Sequence, residues 1–514
     1  MTRPEMYLRL REHNGPWDMI VIGGGATGAG VAVDASTRGY SVLLLEQSDF
    51  GKGTSSRSTK LVHGGVRYLE QGNLSLVMEA LKERGLLLRN APHLVRNLGF
   101  VVPNYDWWQA PFYGVGLKVY DLLAGKYGFG SSRILSREET LARLPTIRAE
   151  DLRGGVIYFD GQFDDARLLI HLLATAFDHG ASLFNHTRVV AAACDGVRVR
   201  DEETGEEFDA AARVVINATG AFSDSVRRMA DPTAAPIIAP SQGIHLVFDR
   251  SFLPGDNAIM VPHTSDGRVM FAIPWHGHTV VGTTDTPVPQ ASLEPVAMEQ
   301  EIDFILQTAA LYLAKPPFRA DVLSVFAGIR PLVKQGDAGR TASLSRDHTI
   351  IIEDSGIVTI AGGKWTTYRR MAEDCVNQAA TLGGLEERPC VTADLPVHGS
   401  HRAADAFGAL SVYGSDAPAV RELSGDRLHP ALPYTSGEVL WAVRHEMALT
   451  VEDVLARRTR ALFLNARAAV QMAPQVAALM ARELGRDQQW IATQLESFRA
   501  VAQHYLIGPA SLPD

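Results

Sequence analysis

Trp17-Asp18-Met19-Ile20-Val21-Ile22-Gly23-Gly24-Gly25-Ala26-Thr27-Gly28 opens the stretch whose reading decides the fold, and Ser41-Val42-Leu43-Leu44-Leu45-Glu46 closes it. An apolar strand, a glycine turn, small residues as far as Gly39 and a second apolar strand fit within about 30 residues, the span of a βαβ unit. Gly23 permits the sharp exit from the strand. Gly25 lets the backbone come close to a pyrophosphate, and Gly28 lets the helix lie tight on the strand. The helix start would offer unpaired N–H groups and a positive dipole end to phosphates. Glu46 ends the second strand, where a carboxylate can accept both ribose hydroxyls. Glycines alone would say little; with strands, helix and acid all in place they mark an adenine-dinucleotide site.

Downstream lies Gly51-Lys52-Gly53-Thr54-Ser55-Ser56-Arg57-Ser58-Thr59-Lys60-Leu61-Val62-His63-Gly64-Gly65, without helical or strand periodicity. Such a segment is either a Ser/Thr/Gly-rich connector or a loop wrapping a flavin and its pyrophosphate. Its place directly after the dinucleotide unit favours binding, with Thr54, Ser55, Lys60 and His63 as contacts. Ala212 to Asn217 predicts a buried parallel strand, and Ala218-Thr219-Gly220 after it would bring Thr219 and Gly220 back to the cofactor. With the first motif this indicates FAD. A third approach is Ile357 to Ala361, then Gly362-Gly363-Lys364-Trp365-Thr366-Thr367 and a helix. If a flavin's pyrimidine edge sits above it, the helix start would stabilise the anionic reduced ring; Gly362, Gly363, Lys364, Thr366 and Thr367 are the candidates.

The chain has 514 residues, enough for about two to four domains. A net charge of -9 and a pI near 6.0 argue against nucleic acid as a partner. Cys194, Cys375 and Cys390 are not closely spaced, which suggests no disulfide framework and no metal site. No apolar run approaches the roughly 18 residues of a spanning helix. Residues 1–16 lack the apolar core of a signal peptide and read as an ordered or frayed extension. Residues 73–95 predict an amphipathic helix. Residues 104–127, with Trp107, Trp108, Phe112 and Tyr113 beside Lys118 and Lys126, read either as a membrane-docking surface or as a core or dimer-interface helix; the thin basic face favours the latter. Between 237 and 352 the strand-like runs Ile244 to Phe248, Ile259 to Pro262, Val269 to Ile273, Thr279 to Val281 and Thr349 to Ile352 predict a separate substrate sheet. Residues 386–435 are rich in Pro, Gly and Asp. Helical patterns resume at Gly437, with further helices at about 463–484 and 487–504. The expected fold is α/β: a Rossmann-like FAD-binding domain in three pieces (17–90, 165–230 and 345–385), a mixed-sheet substrate or cap domain (91–164 and 231–344) and a C-terminal all-helical domain (386–514).

Gly23 to Glu46, Thr54-Ser55-Ser56, Lys60-Leu61-Val62-His63-Gly64-Gly65-Val66-Arg67-Tyr68-Leu69, Gly282-Thr283-Thr284-Asp285, Gly328-Ile329-Arg330-Pro331-Leu332 and Gly362 to Arg369 resemble the FAD-dependent glycerol-3-phosphate dehydrogenases. Arg444-His445-Glu446-Met447-Ala448 through Asp453, Leu455, Arg457 and Arg458 resembles that family's C-terminal domain. The likeness runs from about 17 to 505. It implies oxidation of sn-glycerol 3-phosphate to dihydroxyacetone phosphate, with a hydride passing from C2 to flavin N5 and electrons usually going to a quinone at a membrane surface. A dianionic phosphate needs cations. By resemblance Arg67, Arg330 and Lys364 bind it, Tyr68 and Thr366 donate hydroxyls, and Arg346 holds the glycerol end. Removing the C2 proton needs a base, for which His is the usual choice. His63, in the flavin loop, is favoured; His245 is second, and Arg330 joins them as a catalytic anchor. A cytoplasmic protein, peripheral on the inner face of the cell membrane, is expected, and a homodimer is allowed. Alternatives are a glycerol-3-phosphate oxidase using O₂, another FAD-dependent amine or hydroxy-acid oxidase, and a non-catalytic flavin-binding scaffold. The many cations speak against the amine and hydroxy-acid oxidases. The acidic pI and the phosphate-suited residues speak against the scaffold.

Overall fold

Two sheets carry the chain in the computed structural model, which describes residues 1–65, 73–106, 109–262, 264, 267–334, 348–423 and 425–508. The first sheet runs His348–Ile352, Val358–Gly362, Glu207–Asn217, Trp17–Ile22, Val42–Leu45, Ser182–Phe184. From Val358–Gly362 to Ser182–Phe184 all pairings are parallel, with Val21 between Ile216 and Leu44. Strands covered on both faces must be apolar throughout, and Met19, Ile20, Val21, Leu43, Leu44 and Val215 have no exposed surface. Helix Ala26–Thr37 packs between helices Tyr368–Leu382 and Asp165–Asp178. The chain leaves Trp17–Ile22 towards Val42–Leu45 on one side and reaches Glu207–Asn217 on the other, so a crevice opens at the strands' carboxyl ends.

His348–Ile352 settles two readings of the same residues. The run was grouped with the substrate strands, yet it falls in the range 345–385 given to the FAD-binding domain, and it pairs antiparallel with Val358–Gly362, Ile350 facing Ile360. The turn between them is short, closed by Glu353 N–H on the Ile357 carbonyl at 3.0 Å and Gly356 N–H on the Glu353 carbonyl at 2.8 Å. A connection this tight leaves the next strand as the nearest partner.

The second sheet is mostly antiparallel. Ile238–Asp249 lies between His278–Gly282 and Val322–Val333, which places Gly243 opposite Gly328 and Ser241 opposite Arg330. The expected strands from Ile244 to Val281 fall inside it, and so do Val95–Asn104 and Gly154–Phe163, whose range 91–164 was assigned to this domain although the two strands were not read. Leu61–Val62 pairs with the latter, so the loop after Glu46 crosses from the first sheet to the second.

Helices Ser436–His445, Ala466–Leu484 and Gln488–Gln503 follow, as the C-terminal pattern predicts. Their apolar faces share a core with the second sheet, where Leu455, Phe463 and Met480 join Val247 and Phe326. At the other end the N-terminal extension is ordered: helix Arg3–Glu12 starts on a Thr2–Glu5 capping box, and Arg3 is buried against Asp201 at 2.7 Å. Helix Gln109–Ala124 turns Tyr113, Leu117 and Tyr120 into the core, leaving Val119 and Leu122 exposed on its other side. Trp107 and Trp108 lie outside the described residues.

Candidate active site

A crevice of about 300 Å³ opens at the carboxyl ends of the parallel strands. Gly23, Gly25, Glu46, Thr54, Ser55, Thr219, Gly220, Gly362, Gly363 and Lys364 line it. Gly28 supports it from beneath, because a Cβ there would overlap the Gly23 carbonyl oxygen. Glu46 accepts from Gly24 N–H at 2.8 Å through Oε2 and from Ser48 N–H at 2.9 Å through Oε1. Burial pushes this carboxyl up from its ordinary value, and the two N–H donors oppose the rise. Ser55 Oγ accepts from Ala26 N–H at 2.9 Å, while Thr54 donates to the Ile329 carbonyl at 2.6 Å. Trp365 Nε1–H donates to the Ser55 carbonyl at 2.8 Å, which joins the third approach to the loop. Backbone donors at a helix start, short hydroxyls and one acid are the donor set an adenine dinucleotide needs, and a Cβ on Gly28 would destroy the cradle.

Four predicted contacts stand elsewhere, and two of them, His63 and Thr366, line the adjoining cavity instead. Lys60 is a correction: its ammonium is fully buried, bonded to Asp165 at 2.8 and 2.9 Å and to the Ser56 carbonyl at 2.7 Å, with Trp275 and Phe326 around it. Loop composition suggested a cation for phosphate, but the first turn of helix Asp165–Asp178 supplies a buried carboxylate that claims it. Thr367 is also outside the crevice lining, its hydroxyl donating back to the Lys364 carbonyl at 3.3 Å.

Beyond Gly362, Gly363 and Lys364 two adjoining cavities of about 230 Å³ each share Thr59, Leu61, His63 and Arg330. Arg330 Nη2 donates to the Thr284 carbonyl at 2.8 Å and to Thr283 Oγ1 at 3.1 Å, and Nη1 stands 3.3 Å from Asp285. Gly243 makes room for it, since a Cβ there would press into the guanidinium. His245 Nε2 is 2.9 Å from Thr59 Oγ1, and its ring stacks on Phe326 with centroids 4.8 Å apart. Burial, then the charges of Lys60 and Arg330, hold its pKa well below the usual imidazole value, so His245 stays neutral. His63 N–H donates to Thr366 Oγ1 at 3.2 Å. The next residue, Gly64, donates to Asp160 Oδ1 at 3.3 Å, and Asp160 is itself fixed by Arg84 at 2.7 Å and the Tyr120 hydroxyl at 2.9 Å. Arg67, Tyr68 and Arg346 lie outside the described residues.

Residues 18–369 match the FAD dependent oxidoreductase family, and residues 358–491 match the C-terminal domain of alpha-glycerophosphate oxidase. The probable mitochondrial glycerol-3-phosphate dehydrogenase of Caenorhabditis elegans is 43% identical, over 97% of this chain and 74% of that protein. Its human mitochondrial counterpart is 41% identical, over 96% and 74%. The chain belongs to the FAD-dependent glycerol-3-phosphate dehydrogenases. The solved glycerol-3-phosphate dehydrogenase from Bacillus halodurans, complexed with FAD, superposes with a TM-score of 0.80 at 30% identity, covering 100% of this chain and 99% of that one. The dehydrogenase therefore binds FAD. Its expected cytoplasmic location is corrected: the Caenorhabditis elegans and human relatives are mitochondrial by name. That expectation rested on three scattered cysteines fitting a reducing compartment, a signal that does not tell one such compartment from another.

Sequence reasoning missed four parts of the dehydrogenase's inner cavities. Thr283 and Asp285 stood in a motif that had been given no role. Thr59 and Asp160 had no local signal: Asp160 matters only because Gly154–Phe163 pairs with Leu61–Val62 and brings it beside Gly64.

Proposed function

We propose that the dehydrogenase oxidises sn-glycerol 3-phosphate to dihydroxyacetone phosphate in the cavities behind Gly362–Lys364 and delivers the electrons to a quinone. The observation that carries this reading is Arg330, a guanidinium on the wall of both cavities, oriented by Thr283 and Thr284 and only part-buried. A fork held in that way suits two oxygens of a phosphate, and Lys364, lining the same cavity, adds a second cation. FAD, held by the crevice that Gly23, Glu46 and Ser55 line, would supply a two-electron acceptor for the hydride removed from C2. His63 accepts the C2 hydroxyl proton, because it lines both cavities while Thr366 and the Asp160–Gly64 contact fix the main chain around it. His245, kept neutral, orients Thr59. Arg67, Tyr68 and Arg346 complete the phosphate and glycerol ends in this reading. The crevice and its parallel sheet form the cofactor domain, the second sheet the substrate domain, and residues 386–514 a third unit.

Quinones reside in membranes, and a surface-docked enzyme would meet them there. Exposed Val119 and Leu122, with Leu74 and Met78 on the neighbouring helix Leu74–Asn90, support a lipid-facing patch. No helix among the described residues is long and apolar enough to cross a membrane.

The test is an anaerobic stopped-flow spectrum of holoenzyme mixed with glycerol 3-phosphate. Bleaching of the flavin by this substrate but not by glycerol or lactate supports the reading. An unbleached flavin overturns it. Rapid reoxidation by a soluble quinone, with little peroxide formed in air, supports the quinone step; fast peroxide formation would make the enzyme an oxidase.

A further inference from the structure

The C-terminal segment from Glu446 to Arg458 carries five ionisable residues that take no part in the chemistry above, and the structure shows where the most buried of them go. Arg457 and Arg458 sit on a π-helical turn, Asp453–Arg458, and are 2% and 1% exposed. Such turns are rare and occur often at functional sites. Both guanidiniums reach out of the helical region to Asp49, which is fully buried three residues after Glu46. Asp49 Oδ2 accepts from Arg457 Nε at 2.5 Å and from Arg458 Nη1 at 2.8 Å, and Oδ1 accepts from Arg458 Nη2 at 2.9 Å.

The pairing continues along the same loop. Arg457 Nη1 donates to Glu452 Oε1 at 2.7 Å, and Lys52 Nζ donates to Glu452 Oε2 at 2.8 Å. Thus residues 49 and 52 are both held by one C-terminal turn. Between them, Gly51 N–H donates to the Gly24 carbonyl at 3.0 Å. A Cβ on Gly24 would lie 2.7 Å from the Phe50 ring and 2.8 Å from Glu46 Cβ. Any displacement of residues 49–52 therefore presses directly on the glycine turn and on the ribose acid. Gly51, Lys52, Gly53, Thr54 and Ser55 line the crevice, whereas Glu452, Arg457 and Arg458 do not.

Asp49, His186 and Asp453 also come close enough together to suggest a cation site. Arg457 and Arg458 already neutralise Asp49, and His186 Nε2 already pairs with Asp453 at 3.0 Å, so the cluster is an ion-pair network.

We propose that Arg457, Arg458 and Glu452 are positioning residues for FAD: from the C-terminal helical region they lock the loop 49–52 against the glycine turn, and cofactor retention depends on them although they lie outside the crevice. Mere cross-linking of two parts of the chain would change overall stability without a selective effect on flavin release.

The test compares holoenzyme variants by the rate at which flavin fluorescence appears on dilution, alongside urea unfolding of the FAD-free proteins. Glu452→Gln keeps the shape and removes the charge shared by Lys52 and Arg457, leaving Arg457 on Asp49 and Asp453. Glu483→Gln breaks the Arg444–Glu483 pair, 2.6 Å long and in the same helical region but away from the loop, and serves as the control. FAD should leave Glu452→Gln about tenfold faster, the size expected for one charge-assisted hydrogen bond. Glu483→Gln should release it at the wild-type rate, and the FAD-free variants should unfold at similar urea concentrations. Arg457→Lys, which keeps the charge but loses the fork, should show a smaller acceleration and gives a second measurement if Glu452→Gln does not fold. Wild-type FAD release from folded Glu452→Gln or Arg457→Lys overturns the proposal. Equal acceleration in Glu483→Gln overturns it as well, since that would be general loosening.

Discussion

The crevice proposed for the cofactor and the cavity proposed for the substrate share a wall at Gly362, Gly363 and Lys364, yet they are made in opposite ways. The crevice is built from main chain. Its turn, Gly23 to Ala26, is local in sequence, and its tolerances are set by where a Cβ cannot go. The cavity is built from side-chain charge. Arg330 meets Thr283 across 47 positions of sequence and is held by the turn 283–285 and by Gln242 on the neighbouring strand. A site made from backbone is fixed as soon as its strand and helix form. A site made from charges on distant strands exists only once those strands have found their register.

That contrast can be broken experimentally. Gly28→Val should have the largest effect. The added side chain must push the Gly23 carbonyl aside, so the purified protein is expected to be colourless, with FAD absorbance as the readout. A yellow, FAD-replete Gly28→Val protein would mean the crevice is more plastic than its geometry implies. Arg330→Ala should leave FAD bound and lower kcat/KM for glycerol 3-phosphate by roughly a thousandfold, about 4 kcal/mol, as loss of a paired charge at an anion site implies. An unaltered KM would remove Arg330 from the phosphate site.

The two histidines sharpen the comparison within the cavity. His63→Asn should slow flavin reduction roughly a hundredfold, the usual size of a general-base contribution. It should also abolish the fall in rate at acid pH that comes from protonating the base. His245→Asn should keep that acid limb. Burial, then the charges of Lys60 and Arg330, hold the His245 imidazole well below the ordinary value, so it stays neutral where an ordinary imidazole titrates. If His245→Asn loses the limb and His63→Asn keeps it, the roles are exchanged. The smallest effect is expected for Thr366→Val, which leaves the His63 N–H without its acceptor: about 1 kcal/mol, or roughly fivefold in kcat/KM, with FAD retention unchanged.

Legibility in the sequence follows the same division. The glycine turn, Glu46 and the apolar parallel strands were readable because each is specified by residues within a few positions of one another. Arg330 and His63 could be named because they stand in motifs, but their partners could not. Asp160 is far from Gly64 in the chain, and nothing near either residue announces their contact. Lys60 misled for the same reason: a lysine in a hydroxyl-rich loop suggests phosphate until the buried Asp165 is seen beside it. His348–Ile352 read as a strand, while its sheet was decided by the short turn to Val358–Gly362.

The sequence by itself determined that this chain forms a βαβ dinucleotide unit, binds FAD and ends in helices, since apolar period and glycine placement act through neighbours along the chain. Only the tertiary structure decided which cations face the cavity and which are sealed in the interior. Arg330 and Arg457 look alike as letters; one lines the cavities and the other is sealed against Asp49, because burial and pairing are properties of what the fold brings alongside.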